Sequence, residues 1–316
     1  MPRAHKPRSG SLQFWPRKRA KRQYPRIRSW ADIDTAKLLG FMGYKVGMTH
    51  LGYTENNPNL KGDLKKTTSA TIIECPPIKP FSLRFYKKTP YGLVPFSEIL
   101  SKKFDKELSR KLKLPKKNTA KEMPKEFDQV RLISYTQPKL TSLPKKKPEI
   151  MEIKISKNDI EYAKSLLEQE IPVQDVFEQG KFIDIHSVTK GKGNQGPVKR
   201  FGIGLKQKKS EKGRRRPGSL GNWNAVTMMW TVAQAGQTGC QTRTEHNKLI
   251  LKFCKPEEIN KPSGFTNYGI VKNTCILLKG SIPGPRKRLI RLAQATRPRK
   301  SHPITIHYIG NTKSEK

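Results

Sequence analysis

The chain has 316 residues, of which 65 are Lys or Arg and 25 are Asp or Glu, so its formal net charge is +40. Apolar residues make up only 34% of the chain, which excludes a protein whose whole sequence lies in one compact core. The 12 Phe, 9 Tyr and 4 Trp residues exclude a wholly disordered chain, because such chains are poor in aromatic residues. We therefore expect a folded body with basic segments, and nucleic acid is the polyanion that would neutralise them.

Other partner classes have little support in the sequence. No apolar run approaches the ~18–20 residues of a membrane-spanning helix, and the first ten residues lack the hydrophobic region of a secretory signal. The four cysteines contain no Cys-x-x-Cys pair, and the six histidines show no metal-ligand spacing, so we expect reduced thiols and no metal site. We predict no membrane partner, no small-molecule substrate and no cofactor, with Mg²⁺ present only as a counterion of RNA.

Residues 1–36 form the first basic segment. Residues 1–30 hold ten Lys or Arg residues and no acid, and four prolines interrupt any helix. Phe14, Trp15, Tyr24 and Trp30 are interleaved with the cations. Aromatic rings stack on bases while Arg pairs with phosphates, so this composition favours RNA binding over the alternatives of a solvated tail or a localisation signal.

Short β-branched and aromatic segments then alternate with turn residues, which is typical of strands. Strands are predicted at residues 38–53, 69–74, 83–87, 129–135, 181–189, 248–253, 268–278 and 288–292. This spacing favours a mainly β fold, an antiparallel β-barrel over residues 37–95 and 179–300, interrupted by an inserted α/β region.

The inserted α/β region, residues 96–178, is predicted from its charge and from one helix pattern. Residues 98–178 contain fourteen of the 25 acids, so this region is expected to face solvent or protein rather than a polyanion. Ser156 and Asp159 form a capping-box pattern before a helix that places Ile160, Ala163, Leu166 and Leu167 on one face.

The second basic segment, residues 190–235, is predicted to be a long loop and is called the basic loop below. Eight glycines punctuate residues 190–221, and Gly191–Gly196 matches the G-x-G-x-x-G pattern of dinucleotide sites. Pro197 follows at once and only arginines stand near position 216, where such a site needs an acid, so the pattern does not indicate a cofactor. The glycines are interpreted as positions where the backbone approaches a phosphate chain closely.

The basic loop contains an aromatic tip. Trp223 lies beside glycine and asparagine, which favours insertion into folded RNA, the alternative being a tryptophan that closes a small hydrophobic cluster. Met228, Met229 and Trp230 are predicted to return the chain to the folded body. A third basic segment runs from Lys279 to Lys300, and residues 301–316 form a C-terminal tail.

The candidate sites are the cations of these three segments and the loop tip. The predicted RNA-binding residues are Arg3, Arg8, Arg17, Lys18, Arg19, Lys21, Arg22, Lys190, Lys192, Lys199, Arg200, Lys208, Lys209, Arg214, Arg215, Arg216, Arg286, Lys287 and Arg288. The predicted tip residues are Gly221, Asn222, Trp223 and Asn224. No catalytic constellation emerges, since there is no Gly-x-Ser-x-Gly elbow.

Motifs along nearly the whole chain resemble one family, the universal ribosomal protein L3 of the large subunit in its archaeal form. They are residues 7–12 (PRSGSL), 16–20 (PRKRA), 39–50 (LGFMGYKVGMTH), a signature from Phe177 through Asp184 and Gly191 to Arg200, and residues 216–221, 235–239 and 243–245. One departure stands at the tip, where Asn224 and Ala225 follow Trp223 and family members usually have His-Pro. A role that rests on that histidine is therefore not carried over.

The resemblance implies a translation-protein-type β-barrel and a structural role in the large ribosomal subunit in the cytoplasm. It also implies early binding to large-subunit rRNA, a loop that reaches toward the peptidyl-transferase centre, and ribosomal proteins L14 and L24e as neighbours. Two rivals from other classes remain at this point. One is an RNA-modifying enzyme with basic RNA-binding segments, and the other is a protein that packs DNA.

Overall fold

A computed structural model of the chain describes residues 10–56, 65–115, 124, 126–167, 169–222, 224 and 226–310. The chain divides into two compact units: unit 1 comprises Met1–Gln23 and Val188–Thr242, and unit 2 comprises Tyr24–Ser187 and Arg243–Lys316. None of the described helices is long and apolar enough to cross a membrane.

Strands dominate the described residues. They are β1 (Gly40–Glu55), β2 (Lys65–Glu74), β3 (Lys79–Thr89), β4 (Gly92–Leu100), β5 (Gln129–Tyr135), β6 (Ile150–Lys154), β7 (Phe182–Val188), β8 (Gly191–Gln195), β9 (Gly236–Gly239), β10 (Thr242–Cys254), β11 (Cys275–Lys279), β12 (Leu289–Gln294) and β13 (Ile304–Ile309). The described α-helices are α1 (Ile160–Leu166), α2 (Pro197–Phe201) and α3 (Pro256–Ile259). Short 3-10 helices occur at Leu12–Phe14, Lys106–Arg110, Pro138–Leu140, Ser156–Asn158 and Val173–Asp175. The prediction of a mainly β fold is confirmed.

Unit 2 contains a seven-stranded sheet in the order β12-β7-β10-β11-β2-β1-β13. β12 also pairs with β1 in antiparallel register, from Gly40 opposite Ala293 to Tyr44 opposite Leu289. Six of these strands, all but β13, thus have a hydrogen-bonded neighbour on both edges. Phe41, Ile72 and Leu277 are among the fully buried side chains that fill the core. The translation-protein type of barrel stays a prediction.

A four-stranded antiparallel sheet, in the order β4-β3-β5-β6, also belongs to unit 2. The predicted boundary between positions 95 and 96 falls inside β4, whose partner β3 also pairs with β5. The predicted domain limits remain predictions. The four-stranded sheet begins at Lys79, so it includes residues on both sides of the predicted boundary. α1 differs from its predicted start, because Asp159 is the N-cap and accepts hydrogen bonds from the amides of Glu161 and Tyr162.

The strand predicted at residues 268–278 is too long, and a buried carboxylate explains why. Only Cys275–Lys279 forms a strand. The Glu74 carboxylate accepts hydrogen bonds from the Lys272 amide at 2.9 Å, the Asn273 amide at 3.0 Å and the Tyr268 hydroxyl. These donors satisfy the carboxylate in place of a strand ladder, so residues 268–273 form a loop around a buried acid.

Unit 1 is built on the two-stranded antiparallel pair of β8 and β9 and on α2. The region predicted as an extended loop from residue 190 to 220 therefore contains regular structure in its first twelve residues. Gly239 makes this possible, since it has a φ of +71° and a Cβ at this position would lie 2.0 Å from the Lys190 carbonyl oxygen. α2 begins after Gly196, has Pro197 in its first turn and ends at Gly202 with a φ of +68°.

Candidate nucleic-acid interface

Unit 1 concentrates the positive charge of the molecule. Within its two segments the sequence has nineteen Lys or Arg residues and a single acid, Glu211. About a quarter of the residues therefore account for +18 of the net charge of +40. Like charges at this density repel one another unless an anion lies between them.

The basic loop presents most of these cations to solvent. Lys208, Lys209 and the run Arg214–Arg216 are all exposed. Two contacts shape the loop here: the Lys206 amide donates to the Arg214 carbonyl at 3.1 Å, and Arg214 Nε donates to the Lys206 carbonyl at 3.2 Å. Among the described residues no acid forms an ion pair with these five side chains, so their charge is available to an external anion.

The cations near β8 and α2 are also exposed. Lys190 precedes β8, Lys192 lies within it, and Lys199 lies in the last turn of α2. All three side chains point to solvent. The G-x-G-x-x-G pattern thus leads into a helix of only five residues with three cations around it, and the acid that a dinucleotide site needs is missing.

Two predicted RNA-binding arginines form internal contacts in unit 1. Arg200 donates from Nη1 to the Gln234 carbonyl at 3.0 Å and from Nε to the Gln237 carbonyl at 3.2 Å. Arg17 Nη1 donates to the Arg200 carbonyl at 2.8 Å, and its guanidinium lies 4.2 Å from the centre of the Phe201 ring. Burial, and then the nearby Arg17 charge, lower the pKa of Arg200. Both arginines therefore hold backbone segments together, which the sequence pattern did not indicate.

Aromatic rings complete this cluster. Trp15 stacks on Phe201 with ring centres 5.6 Å apart, and Trp15 meets Trp230 edge-on at 5.3 Å. We call Trp15, Arg17, Arg200, Phe201 and Trp230 the aromatic clamp. It joins the N-terminal basic segment to the base of the basic loop, with further support from the Ala20 amide, which donates to the Cys240 carbonyl at 2.7 Å.

Most of the predicted RNA-binding cations that are described in the N-terminal segment and in the third basic segment are exposed. Lys18, Arg19, Lys21 and Arg22 are exposed, whereas Arg3 and Arg8 lie outside the described residues. In unit 2, Arg286 and Lys287 are exposed and Arg288 is half-buried. Arg286 Nη1 also donates to the Thr266 carbonyl at 2.7 Å, so part of its hydrogen-bonding capacity is used internally.

The tip of the basic loop is exposed wherever it is described. Gly221, Asn222 and Asn224 are exposed, and Trp223 lies outside the described residues. The expectation that residues 228–230 return to the folded body is wrong for Met228 and Met229, which are 57% and 66% exposed, whereas Trp230 contacts Trp15 edge-on. The side chain of Val226 is 99% exposed. The prediction rested on the apolar character of this stretch, and apolar character alone does not distinguish a buried segment from an exposed one.

Comparison with known proteins decides between the remaining classes. The family model for "Ribosomal protein L3" matches residues 1–129 and 114–314. The chain belongs to the ribosomal protein L3 family. It is 48% identical to the large ribosomal subunit protein uL3 of Methanococcus aeolicus over 306 residues, covering 93% of this chain and 92% of the relative. It is also 44% identical to the uL3 of Archaeoglobus fulgidus over 329 residues, covering 98% of each chain.

Family membership fixes the general role. As a ribosomal protein of the large subunit, the chain is structural rather than enzymatic, and it is located in the cytoplasmic ribosome. This excludes the two alternatives that the sequence left open, an RNA-modifying enzyme and a protein that packs DNA. Among the described residues, no group of three or more His, Cys, Asp or Glu side chains is arranged to hold a metal ion.

Proposed function

We propose that the chain binds large-subunit rRNA directly through its three basic segments and that it does so early in subunit assembly. The observation that carries this proposal is the concentration of nineteen cations and one acid in unit 1, with most cations of the basic loop exposed and with Lys208, Lys209 and Arg214–Arg216 unpaired by any described acid. A segment with that balance is more stable beside a polyanion than in water. Binding early would neutralise it before the remaining subunit proteins join.

The cations and glycines have different tasks in this proposal. Lys208, Lys209 and Arg214–Arg216 neutralise phosphates and displace counterions, including Mg²⁺, from the RNA. Glycines without a side chain in the way, such as Gly204 and Gly218, let the backbone lie close to the phosphates, since nothing stands within 4 Å of the position of a Cβ there. Catalysis belongs to the RNA, and the protein acts by charge and packing.

The loop tip is proposed to extend toward the peptidyl-transferase centre. Val226, Met228 and Met229 are exposed apolar side chains within a basic loop, a combination that fits contact with the faces of unpaired bases. Trp223 is proposed to contribute the same kind of contact. Trp223→Ala is expected to leave assembly intact and to alter translation rate or fidelity, and unchanged translation in that variant would contradict this role.

A salt titration tests the binding proposal. The affinity of the purified protein for a large-subunit rRNA fragment is measured against salt concentration for wild type, Arg215→Ala and the control Lys146→Ala, a similarly exposed cation in unit 2. Removing one phosphate contact should reduce the log–log slope by roughly 0.7–0.9. Arg215→Ala is expected to show this reduction while Lys146→Ala does not. Equal slopes for all three proteins would refute the proposal for the basic loop.

A further inference from the structure

The hairpin formed by β3 and β4 exposes apolar side chains that the RNA-binding proposal does not use. β4 is an edge strand, which pairs with β3 alone among the described strands. Leu93 and Val94 are 43% and 47% exposed, and Phe96 is 64% exposed. Tyr91, in the turn, is fully exposed. We call Tyr91, Leu93, Val94 and Phe96 the hairpin surface.

The hairpin geometry holds these side chains outward in a defined arrangement. Thr89 pairs with Gly92 across a two-residue turn, and the Thr89 hydroxyl donates to the Gly92 carbonyl at 2.8 Å. Pro90 fixes its own φ, and Gly92 has a φ of +117°, which favours glycine. Phe96 lies at a register shift, because Pro95 pairs with Tyr86 and Ser97 pairs with Phe85. The turn and the bulge thus fix the backbone at Tyr91 and Phe96, so binding orders only their side chains.

The charge around the hairpin surface is balanced, unlike that of the basic segments. Lys87 Nζ lies 3.7 Å from the Glu126 carboxylate, and the Lys88 amide donates to the Asp128 carboxylate at 2.6 Å. Deeper in the sheet, Arg84 donates from Nε and Nη2 to Glu98 Oε2 at 3.1 and 2.9 Å. In a chain with a net charge of +40, this place has acids beside its cations. A polyanion would meet repulsion from Glu126 and Asp128 as well as attraction from the lysines.

An apolar centre with a rim of both charge signs is the pattern of a protein interface. Exposed apolar side chains on an edge strand are also costly to leave in water, and an uncovered strand edge attracts unwanted strand pairing. We infer that the hairpin surface is the docking site for a neighbouring ribosomal protein that presents an apolar surface to Tyr91 and Phe96. This inference rests on the proposed function, since the neighbour is met only in the assembled subunit.

Photo-crosslinking in purified large subunits tests the class of partner. A benzophenone amino acid replaces Tyr91 in one preparation and Lys208 in another, so that one probe lies on the hairpin surface and one on the basic loop. The Tyr91 probe is expected to crosslink to a single ribosomal protein and the Lys208 probe to rRNA. A Tyr91 probe that crosslinks to rRNA, or to nothing, would overturn the inference. A Lys208 probe that never reaches rRNA would instead count against the proposed function.

A double substitution tests the contact itself. The ribosomal protein identified by the crosslink is purified and bound to subunits depleted of it, carrying either the wild-type chain or Tyr91→Ser with Phe96→Ser. Loss of two aromatic anchors should weaken binding about 30-fold or more, as removal of an interface hot spot does. This loss should persist in 1 M salt, because apolar contacts are not screened. The control Leu205→Ser removes an exposed apolar side chain from the basic loop and should leave this affinity unchanged.

Folding is checked separately, since the substituted side chains are exposed. The isolated Tyr91→Ser and Phe96→Ser protein should unfold at the same temperature as wild type. If it does and the neighbour still binds with unchanged affinity, the inference is wrong. If unfolding shifts to lower temperature, Tyr91→Ser alone, at a fully exposed turn position, provides the same comparison without the change in the strand.

Discussion

Replacing Arg200 tests whether the aromatic clamp stabilises unit 1. Arg200→Ala removes two hydrogen bonds from a charged donor, to the carbonyls of Gln234 and Gln237, and a contact with the Phe201 ring at 5.1 Å. A hydrogen bond from a charged group contributes about 1.5–3 kcal/mol when buried. Arg200 is half-buried, so we discount this and expect a total loss of about 2 kcal/mol in the free energy of local opening.

Amide hydrogen exchange measures this loss where it should occur. The Cys240 amide, which donates to the Lys190 carbonyl at 3.1 Å, and the other amides paired between β8 and β9 report on opening of unit 1. A loss of about 2 kcal/mol corresponds to roughly 30-fold faster exchange at these positions. Amides paired between β3 and β5 in unit 2 should keep their rates.

Lys199→Ala is the matched control, because Lys199 lies in the same helix and is exposed. It removes a charge of the same sign without a hydrogen bond to the β9 side of the unit. Unchanged exchange in Arg200→Ala would refute the clamp as a source of stability. Equal acceleration in both variants would show that charge, rather than the carbonyl contacts of Arg200, controls the opening.

Three further predictions follow from the same geometry. In unit 2, burial opposes ionisation of Asp184, but hydrogen bonds from the Asn247 amide, His246 and Thr296 outweigh it and lower its pKa. The pKa of Asp184 is lower in the folded chain than in the unfolded chain, so its contribution to stability is present above pH 4 and is lost as the pH falls further. The free energy of unfolding of Asp184→Asn, measured with urea, should lack this loss at acid pH. Burial lowers the pKa of His186 to about 4, so the unfolded chain binds a proton more readily than the folded chain. Stability should therefore fall as the pH drops from 6.5 toward 4. The midpoint of urea unfolding, measured across this pH range, should fall less steeply in His186→Gln than in wild type. Gly239→Ala combines a left-handed φ with a clash against the Lys190 carbonyl and should destabilise unit 1 by at least about 1–2 kcal/mol in hydrogen exchange, while Gly204→Ala, in open space, should have no effect.

Most of the fold could be predicted because burial leaves a pattern in the sequence. β1, β5 and β7 contain β-branched, aromatic and other apolar residues that fill the core, and their predicted bounds agree with the structure to within about two residues. β4 was missed because its apolar residues are exposed and Pro95 stands within it, which is typical of an edge strand. The error at residues 268–278 arose because one buried acid, Glu74, binds the amides of a segment that is distant in sequence.

The candidate interface could be predicted only in part, because charge identifies a segment without saying where its donors point. Lys208 and Arg215 are exposed as expected. Arg17 and Arg200 have the same sequence character, yet both donate to backbone carbonyls within unit 1. Such contacts depend on which backbone segments the fold brings together. Composition therefore predicted which segments are basic and could not assign a role to each arginine.

The shortage of acids in unit 1 explains why the aromatic clamp is built from contacts with carbonyl oxygens and aromatic rings. Unit 2 uses ion pairs, such as Lys79 with Asp105 and Arg84 with Glu98, and it also holds Arg291 on two carbonyl oxygens and against the Tyr24 ring. Unit 1 has Glu211 as its single acid, and Arg17 and Arg200 there use the second kind of contact, with carbonyl oxygens and an aromatic ring. Those contacts fix the arginines while leaving their positive charge uncancelled. The basic loop thus gains a defined base without losing the charge with which it would attract RNA, and the structure of unit 1 and its proposed binding follow from the same composition.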